Sequence, residues 1–515
     1  MELESDNFTK AEDIFGKSLL SVPNVGLWST YLNYIRRMND LTSDATGNAR
    51  VTVNQAYDFV LAQVGIDRDS GNLWTEYIQF LRTIPGQLGG STWQDQQKMD
   101  TLRKAYQRAV CVPMGSVSTL WKDYDQFEMT LNKMTVSYTS FEHGKYTDYK
   151  QGRKAIQERS PAYMTARSAN NALDNITRGL IRTTLPKLAP AHGFEGDKEY
   201  TEQVELWKKW ISWEQEDPLV LKADELELYK QRVLYVYKQA LMALRFWPKM
   251  WVEAAEWSYE NGMEKEGDEF LDNGIAANPE SCLLAFRKAD RLETTLATEE
   301  ADKGPAERGT IVRAPYDKVL DSLYDLIKQL KTREAKDLAK VEESAAVDAA
   351  IGAIIAKAED EDEDNDADRE AREAARKSQE DAIKQGYTMQ AQTLSRTISF
   401  AWIALMRAMR RIQGKGTLND PIGGCRKIFA DARARGKLTS DVYVASALIE
   451  HHIYKDVAGT KIFERGARLF PEDSAFILEY LKHLLSIGDT TSKCSENSCG
   501  LYETLTVSSR CSGCF

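Results

Sequence analysis

Four thiols crowd into the last 22 residues of the 515-residue chain: Cys494, Cys499, Cys511 and Cys514. Four thiolates so placed can enclose zinc, which takes sulfur ligands in a tetrahedron. The Cys511-x2-Cys514 half has the usual spacing, but Cys494-x4-Cys499 is looser and no histidine supports it. Zinc is therefore the lesser reading of these residues and an unstructured tail the greater, so no metal is assigned. Prenylation is excluded, because cysteine would have to stand fourth from the end, where Ser512 stands. His451 and His452 are adjacent in helical text, which points them to different faces and makes a poor metal pair. No nucleophile elbow, P-loop or dinucleotide fingerprint occurs. Paired carboxylates, at Glu342-Glu343 and in the acidic run Glu359–Asp368, lie in charged text with no pocket to fix a general acid or base. Arg36-Arg37, and Arg407, Arg410 and Arg411 with Lys415, could form small positive faces, but no aromatic platform for stacked bases accompanies them. The residues thus point to no catalytic group and no cofactor, and the chain is predicted not to be an enzyme.

Composition agrees. The net charge is −11, eight of these charges fall in the acidic run, and the rest of the chain stands at −3. So balanced a body argues against a broad basic nucleic-acid surface. A chain of this length exceeds one hydrophobic core, so several domains or a repeat array is expected. Hydrophobic content of 42% with 11 Trp and 22 Tyr supplies ample apolar surface to bury. No run of about 18 apolar residues predicts a membrane span, and the acidic start lacks the apolar stretch of a signal peptide. Cys111, Cys282 and Cys425 read as reduced, buried thiols of an intracellular protein.

The elements that must position these groups repeat. Trp28, Trp74 and Trp121 are 46 and 47 residues apart, and Trp207 and Trp251 are 44 apart. Each of the first four opens an i, i+3, i+7 string: Trp28/Tyr31/Ile35, Trp74/Tyr77/Leu81, Trp121/Tyr124/Glu128 and Trp207/Trp210/Glu214. That spacing places three residues on one helical face, with the polar i+7 residue expected at its edge. A second helix follows, clearest at Arg103–Val110 around Tyr106, with related text at 233–241, 425–432 and 460–467 around Phe463. Small residues recur beside its aromatic, and Pro113, Pro248, Pro279 and Pro471 end it. Trp257, Trp402 and Tyr443 complete the set of predicted packing anchors. No helix pair of this kind can bury its own apolar face, so pairs must stack. The prediction is an all-α superhelical array of helix pairs. Two stretches break it: residues 133–200, read as a long helix and then a Pro/Gly loop at 185–196, and residues 297–395. The latter holds a helix at 315–331 and a charged, mobile insertion with helical tendency at 331–385.

The pattern Trp-x2-aromatic-x3-Glu, followed by Arg-x2-Tyr-x-Arg-Ala-Val, resembles the half-a-TPR (HAT) repeat. The succession LWSTYLNYIRR (27–37), LWTEYIQFL (73–81), LRKAYQRAVCVPM (102–114), LWKDYDQFE (120–128), LWKKWISWEQEDPL (206–219) and VYVASALIEHH (442–452) closely resembles the suppressor-of-forked family, over residues 8–488. This family is the large scaffold subunit of cleavage stimulation factor. The resemblance implies a nuclear scaffold of mRNA cleavage and polyadenylation, although nothing in the residues excludes the cytoplasm. It implies a TPR-like fold in two arms: an N-terminal array (1–222) and a C-terminal array (223–296 and 396–488) interrupted at 297–395, with the Cys/Ser-rich tail (489–515) outside. It further implies a homodimer through the C-terminal array, other cleavage and polyadenylation subunits as partners, and RNA contacted mostly indirectly through an RNA-recognition-motif subunit. Two departures stand out. The chain opens inside what reads as a second helix (AEDIFGKSLL, 11–20), and after Asp489 the text loses helical periodicity. The tail is read as the product of a shifted frame, a retained intron or another gene-model error, which leaves the segment that binds the RNA-recognition-motif subunit absent. Sequencing the transcript across the junction tests this. The alternative is a scaffold of the spliceosome or of ribosomal RNA processing built on the same repeat.

Overall fold

The spaced aromatics fold into helices. The computed structural model describes residues 7–42, 44, 47–139, 147–298, 304–356, 365–417, 419 and 423–488, and among them no strand occurs. The first helices are α1 (Phe8–Ser18), α2 (Val25–Met38), α3 (Asn48–Val64), α4 (Gly71–Thr83), α5 (Trp93–Ala109), α6 (Val117–Thr139) and α7 (Thr147–Ile176). Then come α8 (Asp197–Gln215), α9 (Leu226–Ala243), α10 (Pro248–Glu260), α11 (Glu264–Ala277) and α12 (Cys282–Thr298). The long helices α13 (Pro305–Ala356) and α14 (Asn365–Gln413) precede α15 (Gly424–Arg435), α16 (Ser440–Leu448), α17 (Ala458–Leu469) and α18 (Ser474–Ser486). Their starts are encoded locally. Thr92 and Asp95 form a reciprocal capping box on α5. Asn24 caps α2 and Asp473 caps α18. Pro248 opens α10, where its missing N–H costs nothing. Within 133–200, α6 runs to Thr139, α7 covers Thr147–Ile176, and no helix follows until α8 begins at Asp197.

The helices group into two compact units, Met1–Phe270 and Leu271–Phe515. In the first unit the aromatic of each second helix wedges between two aromatics of the next helix. Tyr57 lies 5.3 Å from Tyr77 and 5.4 Å from Phe80. Tyr106 repeats this with Tyr124 (5.6 Å) and Phe127 (5.5 Å). In the second unit Phe463 packs on Phe476 and Tyr480. Such ring contacts add to area burial.

The charged insertion takes up its helical tendency. Residues 331–356 continue α13, and 365–385 begin α14, which packs on α13. Alanines and i, i+4 pairs such as Arg376–Glu380 favour helix there. Residues 357–364, which include the start of the acidic run, lie outside the described residues.

The small residues beside the aromatics have a steric reason. A Cβ at Gly466 would stand 2.4 Å from Phe476 Cζ, inside the second core. Replacing Gly466 by Ala should therefore destabilise that unit. The gain in helix propensity is at most about 1 kcal/mol, and overpacking costs roughly 1–3 kcal/mol. Urea denaturation should show a lower midpoint at unchanged slope, and the added change Phe476→Leu should restore it.

Candidate functional site

The densest polar cluster lies in the first unit, around the turn between α3 and α4. Asp67 is 2% exposed. Its carboxylate pairs with the Arg182 guanidinium and accepts from Tyr235 O–H (2.7 Å) and Gln239 Nε2 (2.6 Å). Arg182 also reaches Asp69 (2.5 Å) and Gln239 Oε1 (2.8 Å). Beside it Arg68 donates to Asp174 (2.5 Å) and to the Thr177 hydroxyl. Burial, then the Asp67 charge, pushes the Tyr235 phenol far above its ordinary range. It stays a neutral donor. Asp67 Oδ2 accepts the bonds from Arg182, Tyr235 and Gln239, and Oδ1 accepts from the Asp69 N–H (2.8 Å), so the cluster binds elements together.

Helix α9 is the spine of this arrangement. Gln231 donates to the Ala62 carbonyl (2.7 Å), and Gln239 donates to the Pro23 carbonyl (3.2 Å). Arg232 holds Glu214 with two bonds, of 3.1 and 2.7 Å. Equivalent forks join Arg103 to Glu128 (2.6 and 3.0 Å) and Arg426 to Glu450 (2.7 and 2.8 Å). The sequence placed the i+7 glutamates at the edge of their face. The structure instead buries Glu128 (1% exposed) and Glu214 (3%), and Glu450, which no such string had singled out, is buried likewise (4%). A bidentate guanidinium makes this tolerable by supplying charge and two donors at once. The signal lies in the Arg-x2-aromatic spacing at Arg103/Tyr106, Arg232/Tyr235 and Arg426/Phe429, which marks the cation but not the carboxylate it pairs with on the neighbouring helix.

The predicted anchors Trp28, Trp74, Tyr77, Tyr106, Tyr124, Trp207, Trp210, Trp251, Trp257, Trp402, Tyr443 and Phe463 are buried. Tyr31 and Trp121 are half-buried, the latter stacked on Tyr163 at 4.3 Å. Arg36, Arg411 and Lys415 are ion-paired, which reduces the positive faces expected. Arg411 forks onto Glu293 (2.7 Å twice), Lys415 pairs with Asp456 (2.7 Å), Arg36 lies 3.6 Å from Glu76, and Arg37 covers the Phe8 ring. The thiol of Cys425 is buried, and those of Cys111 and Cys282 half-buried. Burial raises Cys425 to about 12 and Cys282 to about 11, which keeps both protonated and poor nucleophiles. Cys494, Cys499, Cys511 and Cys514 lie outside the described residues.

The histidines depart from expectation. The chain makes a π-helical turn at Ile449–Ile453, and this wider turn brings His451 and His452 together edge to face, 4.9 Å apart, instead of onto different faces. His451 is also 4.6 Å from His483, which is 4% exposed. His483 Nε2 lies 2.9 Å from Thr460 Oγ1, and Nδ1 has no partner among the described residues. Burial first, then His451 and His452, lowers the His483 pKa below its ordinary 6.5. The unfolded chain therefore binds this proton more tightly than the folded one. The stability involved is complete above pH 6.5 and is lost as pH falls below it. Thermal unfolding at about pH 7.5 and about pH 5.5 should show a larger loss for the wild type than for His483→Gln. Equal losses would remove His483 from the account. Among the described residues no group of three or more His, Cys, Asp or Glu is arranged to hold a metal. No described helix is long and apolar enough to cross a membrane.

Comparison with known proteins accords with this architecture. A family model described as Suppressor of forked protein (Suf) matches residues 1–495. The mRNA 3′-end-processing protein rna-14 of Neurospora crassa is 56% identical, over 98% of this chain and 42% of its own length. Emericella nidulans rna14 is also 56% identical, over 95% of this chain and 43% of its own. Yarrowia lipolytica RNA14 is 34% identical, over 95% and 50%. The chain thus spans half or less of these relatives. The crystal structure of CstF-77 is similar in fold, with a TM-score of 0.53 and 18% identity over 98% of this chain and 78% of that one.

Proposed function

This chain belongs to the Suppressor of forked protein family, and from that premise we propose that it is a non-enzymatic scaffold of mRNA 3′-end cleavage and polyadenylation. The observation that carries the proposal is relatives of 56% identity named for mRNA 3′-end processing. The architecture supports it. Stacked helix pairs give long surfaces for partner proteins. In this reading the protein acts in the nucleus. Its arrays hold other processing subunits and, through the C-terminal array, a second copy of itself. RNA is reached mainly through an RNA-recognition-motif subunit that the scaffold bridges to the cleavage and polymerase factors.

Affinity capture from nuclear extract, with partners identified by mass spectrometry, tests the role. Cleavage and polyadenylation subunits are expected, and recovery of splicing or ribosome-assembly factors in their place would overturn it. Light scattering on the purified chain tests self-association: a dimer is expected, and a monomer at micromolar concentration contradicts that part.

A further inference from the structure

A cleft of about 780 Å³ lies in the second unit, between the middle of the α13–α14 hairpin and the starts of α16 and α18. Its volume falls within the usual range of ligand sites, roughly 300–1,000 Å³. Ile327 and Leu330 of α13, Leu438 after α15 and Phe470 after α17 give it apolar walls. Three cations stand around it on three different segments: Lys331 on α13, Arg396 on α14 and Lys437 in the loop after α15. Unlike Arg411, Lys415 and Arg426, none of them has an ion pair or a side-chain hydrogen bond among the described residues.

Three carboxylates also line the cleft, and two of them are engaged within the fold. Asp473 accepts from the Ala475 and Phe476 N–H groups through Oδ1 and from the Ser440 O–H (2.5 Å) through Oδ2. Asp441 accepts from the Thr439 O–H (2.8 Å) and lies in the first turn of α16, where a helix favours negative charge. Glu334 has no partner among the described residues. The uncompensated charge of the cleft is thus three cations against one carboxylate. Lys437 is presented by a constrained backbone: it is a non-glycine residue at φ 57°, beside Gly436 at φ 73°. The Tyr324 O–H donates to the Gly436 carbonyl (2.8 Å) and the Thr439 N–H to Ser399 Oγ (2.8 Å), so this conformation is held from both sides.

We propose that this cleft binds an acidic segment of a partner protein, whose carboxylates pair with Lys331, Arg396 and Lys437 and whose apolar side chain lies against Leu330, Leu438 and Phe470. Charge complementarity selects an anionic occupant. The other walls favour polypeptide over nucleic acid. Glu334 needs a donor, which peptide N–H groups supply and phosphates do not. The two rings at the cleft, Tyr387 and Phe470, are half-buried. Tyr387 is tied to Asp337 (2.6 Å) and Phe470 packs on Tyr443 and Phe476, so neither offers an open platform for bases. The proposal does not depend on the role in 3′-end processing, because it is tested with peptide alone.

The test uses the full chain. A displayed library of random peptides about a dozen residues long is selected on it, after depletion on the triple variant Lys331→Glu/Arg396→Glu/Lys437→Glu. Enriched peptides should carry an excess of Asp and Glu around an apolar residue, and the most enriched is synthesised with a fluorescent label. Lys331→Ala and Arg396→Ala should each weaken its binding about two- to fivefold, the range of an exposed ion pair. The triple variant should abolish binding while keeping the wild-type unfolding midpoint. Lys437→Gly gives a readout that a merely structural role would not. Glycine suits the left-handed backbone, so this variant should unfold at higher urea concentration and yet bind more weakly, again by about two- to fivefold. Failure to enrich any peptide, enrichment of neutral or basic peptides, or unchanged affinity in the single variants would overturn the proposal. So would displacement of the peptide by short oligouridylate, which would give the cleft to nucleic acid.

Discussion

Replacing Arg232 by Met is expected to lower the stability of the first unit by about 3–5 kcal/mol, the usual cost of leaving one member of a buried ion pair unpaired. Arg232 and Glu214 have side chains only 7% and 3% exposed, and the guanidinium makes two bonds to the carboxylate. Its Nη1 also donates to the Ile66 carbonyl (3.4 Å), at the turn that carries Asp67. Without Arg232 the Glu214 charge stays buried among Trp210, whose indole N–H is its remaining donor, and apolar neighbours. The double variant Arg232→Met/Glu214→Leu removes both charges and should recover most of the loss. Guanidinium-free urea melts followed by tryptophan fluorescence would measure both. The same change at Arg103 should cost less, because that guanidinium is 30% exposed and water can reach Glu128 in its absence. A double variant no more stable than the single one would show that the fork itself, not relief of an unpaired charge, holds α8 to α9.

The contrast between these sites marks what the sequence reveals. The apolar face of each helix is written as a spacing within one segment, so the strings at Trp28, Trp74, Trp121 and Trp207 were enough to place α2, α4, α6 and α8. Turn chemistry is equally local, which is why the loop at 185–196 fell where expected, although Pro248, expected to end a second helix, opens α10. The Arg–Glu forks join residues 18 to 25 positions apart on neighbouring helices. A polar residue at i+7 reads as an edge residue until its cation is found on the next helix. The Asp67 cluster is less legible still, since it draws on Arg182, Tyr235 and Gln239, 115 to 172 residues away. No periodicity announces that α9 returns to the first repeats. The π-turn at 449–453 was hidden for a different reason: one extra residue in a turn leaves the amphipathic pattern intact while moving two histidines onto one side.

Trp402→Ala is expected to be the most damaging substitution in the second unit, with a loss of about 3–5 kcal/mol. Trp402 is 1% exposed and sits in a core built from α12 to α18. Its indole N–H donates to the Tyr324 hydroxyl (3.2 Å), which in turn donates to the Gly436 carbonyl (2.8 Å) at the end of α15. The Arg435 guanidinium lies over the Tyr324 ring at 4.2 Å. One side chain thus fills volume between α13, α14 and α15 and also orients the tyrosine that closes α15. Trp402→Phe separates these roles. It retains most of the volume and loses the hydrogen bond, so a loss of about 1 kcal/mol is expected from that bond, with a further contribution from the smaller ring. Hydrogen exchange gives the location. Protection should fall in α13–α15 for the Ala variant, while α2–α6, in the other compact unit, keep theirs. Loss of protection in both units together would mean that they unfold as one cooperative body. A loss for Phe as large as for Ala would assign the stability to the Trp402–Tyr324–Gly436 chain of hydrogen bonds instead of to the filled volume.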